Sequence, residues 1–210
     1  MTPQTKVRRV QQRAIDTQTA LLDTAVEMFS QRGYDGASVR QIEEIAGVNR
    51  GLVSYHFGDK AELWRCAANR LFARIQDAMS EVASKNNGAD STLLARELAR
   101  TFVRYSAAEP ALNRLMMQES MQPSWRVNFI VEKQIQPMLK RLREQFPVAS
   151  QAVWGNNNPH RYYAFVGAAA FVFSAAEECK ALFGESPSSE EFIEAHADLV
   201  MNMLFPANGK

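Results

Sequence analysis

Apolar residues recur every three to four positions along almost the whole chain, and no stretch alternates in period two for long enough to build a sheet. That periodicity confines the 210 residues to an all-α fold of about nine helices. A first helix is expected from about Thr17 to Arg32, with Leu21, Leu22, Ala25 and Phe29 inward and Gly33 stopping it. Ser38-Val-Arg-Gln41 is a capping box, in which the hydroxyl and the amide can each satisfy an orphan backbone donor. The short helix it opens ends at Gly47, and Asn49 can cap a second short helix running to Phe57. Asp59-Lys-Ala-Glu62 is another capping box, starting a long helix to about Ser84. Further helices are expected near 92–108, 111–121, 125–146 (kinked near Pro137), 160–183 and 190–205, the last opened by a box at Ser188–Glu191.

Composition narrows the class. With 46% hydrophobic residues and a net charge of +1, the chain has a core and no polyelectrolyte tail. Two cysteines, Cys66 and Cys179, cannot build a disulfide framework, and no Cys/His cluster offers a metal site. The first thirty residues lack the continuous apolar run of a secretory signal, and the longest nearly apolar run, Ala164 to Ala176, is too short to span a bilayer, so the expectation is a cytoplasmic protein without membrane contact or cofactor. An enzyme in a helical bundle would need paired Glu-x-x-His motifs. The residues three before His56, His160 and His196 are Val53, Asn157 and Ile193, and neither a phosphate loop nor a nucleophile elbow is present. Charge is uneven: residues 1–75 carry eleven Lys/Arg against eight Asp/Glu, while the remainder is slightly acidic. Lys6, Arg8, Arg9 and Arg13 precede the first acid, Asp16, as either a solvated terminus or a basic arm for nucleic acid.

Residues 38–57 carry the chemistry. Two short helices joined by Gly47-Val48-Asn49 fit either an ordinary helical hairpin or a helix-turn-helix, whose second helix enters the DNA major groove. Val39, Ile42 and Ala46 line the inside of the first helix, and Val53 and Phe57 that of the second. The outward face holds Arg50, Gly51, Leu52, Ser54, Tyr55 and His56, too polar for a core and too aromatic for idle surface. Arg50 can reach a guanine edge or clamp a phosphate, and Leu52 can pack on a thymine methyl. Tyr55, His56 and Lys60 suit phosphate oxygens, and Ser38 and Arg40 can touch backbone or a base edge.

Gly33-Tyr-Asp-Gly-Ala-Ser-Val-Arg-Gln-Ile42, Ala46-Gly-Val-Asn-Arg-Gly51 and Tyr55-His-Phe-Gly-Asp-Lys-Ala-Glu-Leu63 together resemble the DNA-binding domain of the tetracycline-repressor (TetR) family. The likeness covers about residues 17–65. It implies a homodimeric transcription regulator, usually a repressor on a palindromic duplex, with a C-terminal domain that binds a small effector. Other outcomes are an activator, a regulator without an effector or, more remotely, a helical-bundle enzyme. Ser54 departs from the family, many of whose members carry a second aromatic residue there.

The expected organisation is a basic arm at 1–16, a helix-turn-helix domain at 17–65 and a dimerisation and effector domain at 66–210. Asn49, in the turn, joins the candidate DNA contacts. The resemblance implies dimerisation through helices 160–183 and 190–205; small residues 167–170 between phenylalanines, and a broad apolar face at 192–204, agree with it. Phe102, Tyr105, Met116, Met117, Trp125, Phe129, Trp154 and Tyr162 are candidate walls for a hydrophobic or aromatic ligand, and equally ordinary core.

Overall fold

The computed structural model describes residues 3–86 and 88–206, and these are helical with no strand among them. They divide into two compact units, one reaching Leu71 and the other starting at Phe72. No helix among the described residues is long and apolar enough to cross a membrane.

The first unit holds α1 (Pro3–Gly36), α2 (Val39–Ile45), α3 (Leu52–Phe57) and the opening turns of α4 (Lys60–Lys85). Leu21, Ala25 and Phe29 of α1, with Ile42 of α2, Val53 of α3 and Leu63 of α4, are almost wholly closed to solvent and form its core. Leu22, expected inward, is half-buried. Gly33 breaks the helical path of α1 with φ 70, the left-handed conformation that stops a helix cheaply only at glycine. α1 begins at Pro3, well ahead of the expected Thr17; residues 11–16 continue the helix fully exposed, adding no buried stripe that a pattern could reveal. The expected side-chain roles of Lys6, Arg8 and Arg9 lie outside the described residues.

The second unit contains α5 (Ser91–Ala108), α6 (Pro110–Ser120), α7 (Trp125–Ile130), α8 (Gln136–Gln145), α9 (Pro147–Trp154), α10 (Pro159–Ser174), α11 (Ala176–Phe183) and α12 (Glu190–Leu204). α5 is central: it packs against α6, α9, α10 and α12, burying Leu94, Leu98, Phe102 and Val103. Asp90 caps it by accepting from the Thr92 and Leu93 N–H groups at 2.8 and 3.2 Å.

In the second unit four expectations need correction. The bend expected at Pro137 is a π-helical turn, Val131–Ile135, that joins α7 to α8 just before a proline unable to donate to the preceding turn. α9 was missed, although Pro147 at its start and Gly155 at its end, with φ 75, mark both boundaries. The helix expected over 160–183 is two, α10 and α11, parted at Ala175 (φ −96, ψ 32) within a small-residue run that carries no stop signal. Finally, Ser189 and not Ser188 caps α12, accepting from the Phe192 N–H at 3.2 Å.

Candidate nucleic-acid interface

α2 ends in a Schellman turn. The Gly47 N–H bonds the Glu44 carbonyl at 3.2 Å and the Val48 N–H bonds the Glu43 carbonyl at 3.1 Å, with Gly47 at φ 67. The chain then reaches α3 through Asn49, Arg50 and Gly51. Asn49 does not cap α3. Gly51 occupies the N-cap position with φ 90, and glycine offers no side chain to satisfy the first amides. The acceptor comes from α2: Glu43 Oε1 receives the Gly51 and Val53 N–H groups, each at 2.9 Å. Glu43 is 4% exposed. Sequence reasoning overlooked it, although a carboxylate at 43 falls on the 39/42/46 inner stripe, where an apolar residue is expected.

Val53 and Phe57 are buried, so α3 is seated by one face. The other face is open. Ser54 is exposed and Tyr55 is 79% exposed, while Leu52 is half-buried at its margin. Arg50 and Asn49 are exposed in the turn ahead of the helix. His56 is half-buried with its ring edge-on to Tyr55, centroids 4.9 Å apart. Lys60, in the first turn of α4, is half-buried with Nζ 4.4 Å from the centre of the Tyr34 ring. Asp59 caps α4 by accepting the Glu62 N–H at 2.8 Å. Ser38 accepts the Gln41 N–H at 3.1 Å, and Ser38 and Arg40 are exposed. The ten candidate DNA contacts therefore lie on α2, the turn, α3 and the start of α4, all within the first unit.

The candidate effector walls are scattered over the second unit. Phe102 and Trp154 both pack on Phe165, with ring centroids 5.1 and 5.8 Å away, and all three are buried. Tyr162 is edge-on to Tyr163, and burial pushes its phenol up to about 12. Burial and, second, the Glu109 carboxylate raise the half-buried Tyr105 phenol above its ordinary value. Met116 and Phe129 are half-buried, whereas Met117 and Trp125 are exposed. A groove of about 580 Å³ lies elsewhere, on α12, lined in part by Phe192, His196 and Leu199.

Residues 21–65 match the family described as bacterial regulatory proteins, tetR family. Over 67 residues the chain is 37% identical to the HTH-type transcriptional repressor AcnR of Corynebacterium efficiens, covering 32% of this chain and 36% of that protein. Over 57 residues it is 40% identical to the HTH-type transcriptional regulator AcrR of Shigella flexneri, covering 27% and 26%. The aligned part thus spans about a third of these relatives or less. The fatty acid degradation regulator FadR of Bacillus halodurans has a similar fold, with a TM-score of 0.62 at 16% identity over 92% of this chain and 97% of that one. The three motifs, the helix-turn-helix they build and these matches agree on one part of the chain: residues 21–65 match the tetR family of bacterial regulatory proteins.

Proposed function

We propose that this protein is a transcription regulator that binds duplex DNA through α3 as a homodimer and represses until a small apolar molecule releases it. One observation carries the reading: α3 is held from behind by Val53, Phe57 and Glu43, while Tyr55 and Ser54 stand open. A six-residue helix presented this way fits a major groove, with Arg50 set to reach a base edge. The relatives named above, a repressor and a regulator, support the regulatory role.

A single short recognition helix reads few bases, so two act together, and two-fold symmetry makes the site a palindrome. Apolar stripes support a dimer: Tyr163, Gly167 and Phe171 on α10 and Leu199 and Met203 on α12 are exposed at four-residue spacing. The effector reading rests on the aromatic and methionine side chains of α5–α10. α4 contributes to both units, so a ligand wedged between its later turns and α5–α7 acts on the same helix that begins at Lys60. To reverse a 99:1 equilibrium it must favour the released state by about 5.5 kcal/mol.

Selection of bound molecules from random duplexes tests the reading. The expected result is an enriched palindrome with half-site centres about 34–36 Å apart or a multiple of a turn. No enrichment at low salt removes the DNA role.

A further inference from the structure

We infer that Glu43 is a positioning residue for base reading: its carboxylate sets the N-terminal end of α3, and so the direction in which Arg50, Leu52 and Tyr55 are presented. The inference rests on the DNA-binding reading and adds a residue that touches no DNA.

Glu43 makes three connections across the turn. Its carbonyl receives the Val48 N–H at 3.1 Å, and its Oε1 receives the Gly51 and Val53 N–H groups at 2.9 Å each. α2, the linker and the first turn of α3 are thereby tied to a single residue. The need for such a tie follows from the length of α3. Its first internal bond runs from the Tyr55 N–H to the Gly51 carbonyl at 3.0 Å, so six residues supply few bonds of their own. A helix this short is marginal without outside support. Val53 and Phe57 fix its rotation about the long axis, but two apolar contacts on one face leave its tilt and its start free. Directed hydrogen bonds at the first turn remove that freedom, because a bond to a carboxylate is short and strongly oriented. Lacking a Cβ, Gly51 takes φ 90 at little cost and presents its N–H to α2, and as N-cap it surrenders the usual side-chain acceptor. Glu43 supplies the acceptor that Gly51 cannot.

Both amides bond to one oxygen, and this separates geometry from charge. In Glu43→Gln a single carbonyl oxygen can still accept both N–H groups; in Glu43→Ala none remains. The full-length chain and both variants are compared on a duplex selected by the parent and on a random-sequence duplex of equal length, with amide hydrogen exchange at Gly51 and Val53 measured without DNA. Expected results are discrimination between the duplexes reduced about tenfold or more in Glu43→Ala, corresponding to ~1.4 kcal/mol, with low-salt binding to the random duplex retained. Glu43→Gln keeps discrimination within about threefold, or ~0.65 kcal/mol. Exchange at both amides accelerates in Glu43→Ala and stays slow in Glu43→Gln.

Unchanged discrimination in Glu43→Ala, or loss equal in both variants, overturns the positioning role while leaving the DNA reading intact. Should Glu43→Ala fail to fold, Glu43→Gln decides by itself: retained discrimination with slow exchange supports the role, and lost discrimination refutes it. If the parent selects no duplex, the DNA reading fails and the base-reading role with it, whereas slow parental exchange at Gly51 and Val53 shows that the clamp itself exists.

Discussion

Arg50 stands exposed ahead of α3, whereas Lys60 is half-buried beside the Tyr34 ring, and the two basic residues should behave differently on DNA. Arg50→Ala should weaken binding to the selected duplex by about 1–3 kcal/mol and relax preference at one position per half-site. Lys60→Ala should weaken all duplexes alike and lower the salt slope by about one. Binding isotherms on single-base variants at two salt concentrations check both; uniform loss in the two proteins makes Arg50 a phosphate clamp. Gly51 allows a second test at this scale. A Cβ there meets no atom of the chain, so the cost of Gly51→Ala is conformational, from φ 90, and should be about 1–2 kcal/mol in thermal unfolding. Equal stability would mean that α3 starts with a different backbone path. The outward side chains were legible in the sequence because a helical period assigns faces by arithmetic. Glu43 was not, since its role depends on Gly51 and Val53, eight and ten residues away and brought back by the turn.

Among the helices, α5 and α12 are joined by Arg100, Arg104, Glu194 and Asp198. Arg104 holds the Glu194 carboxyl below its usual range, chiefly through hydrogen bonds at 2.6 and 2.8 Å. A carboxylate depressed in the folded state adds stability above its unfolded pKa and loses it as pH falls through the folded one. Arg104→Met should therefore cost stability at pH 7, by less than about 1 kcal/mol because the pair faces solvent. The difference should begin to shrink as pH drops below the ordinary 4.5 of the carboxyl and vanish once pH has passed its lowered folded value. Urea unfolding at several pH values reads this; a pH-independent difference points to lost packing of the arginine stem. Element boundaries were legible at Ser38, Asp59 and Gly33, where a cap or glycine marked them, whereas the equally marked α9 was overlooked. The gap between α10 and α11 was invisible, because alanine neither caps nor breaks a helix and the backbone turns there under packing alone.

At the scale of the molecule, the proposed dimer can be tested on α12. Leu199 is 55% exposed and Met203 64%, so a charge at Leu199 disturbs little within one chain. Ala169, on α10, is wholly buried in its own unit, and a charge there would damage the fold before any interface. Leu199→Asp should sediment as a monomer, keep its helicity and lose binding to the selected palindrome. A dimeric Leu199→Asp protein would place the interface elsewhere. The sequence by itself determined the all-α class, the helix-turn-helix, the face of α3 that stays open and the tetR likeness of residues 21–65, because these depend on local period, caps and motif spacing over a few turns. Tertiary structure decided the rest. Which aromatics close on one another, as Phe102 and Trp154 do through Phe165, depends on how α5, α9 and α10 cross. The burial of Ala169 and the exposure of Leu199 depend likewise on which helix face finds a neighbour. Hydrophobicity is non-directional, so an apolar residue specifies that it will be covered without naming what covers it.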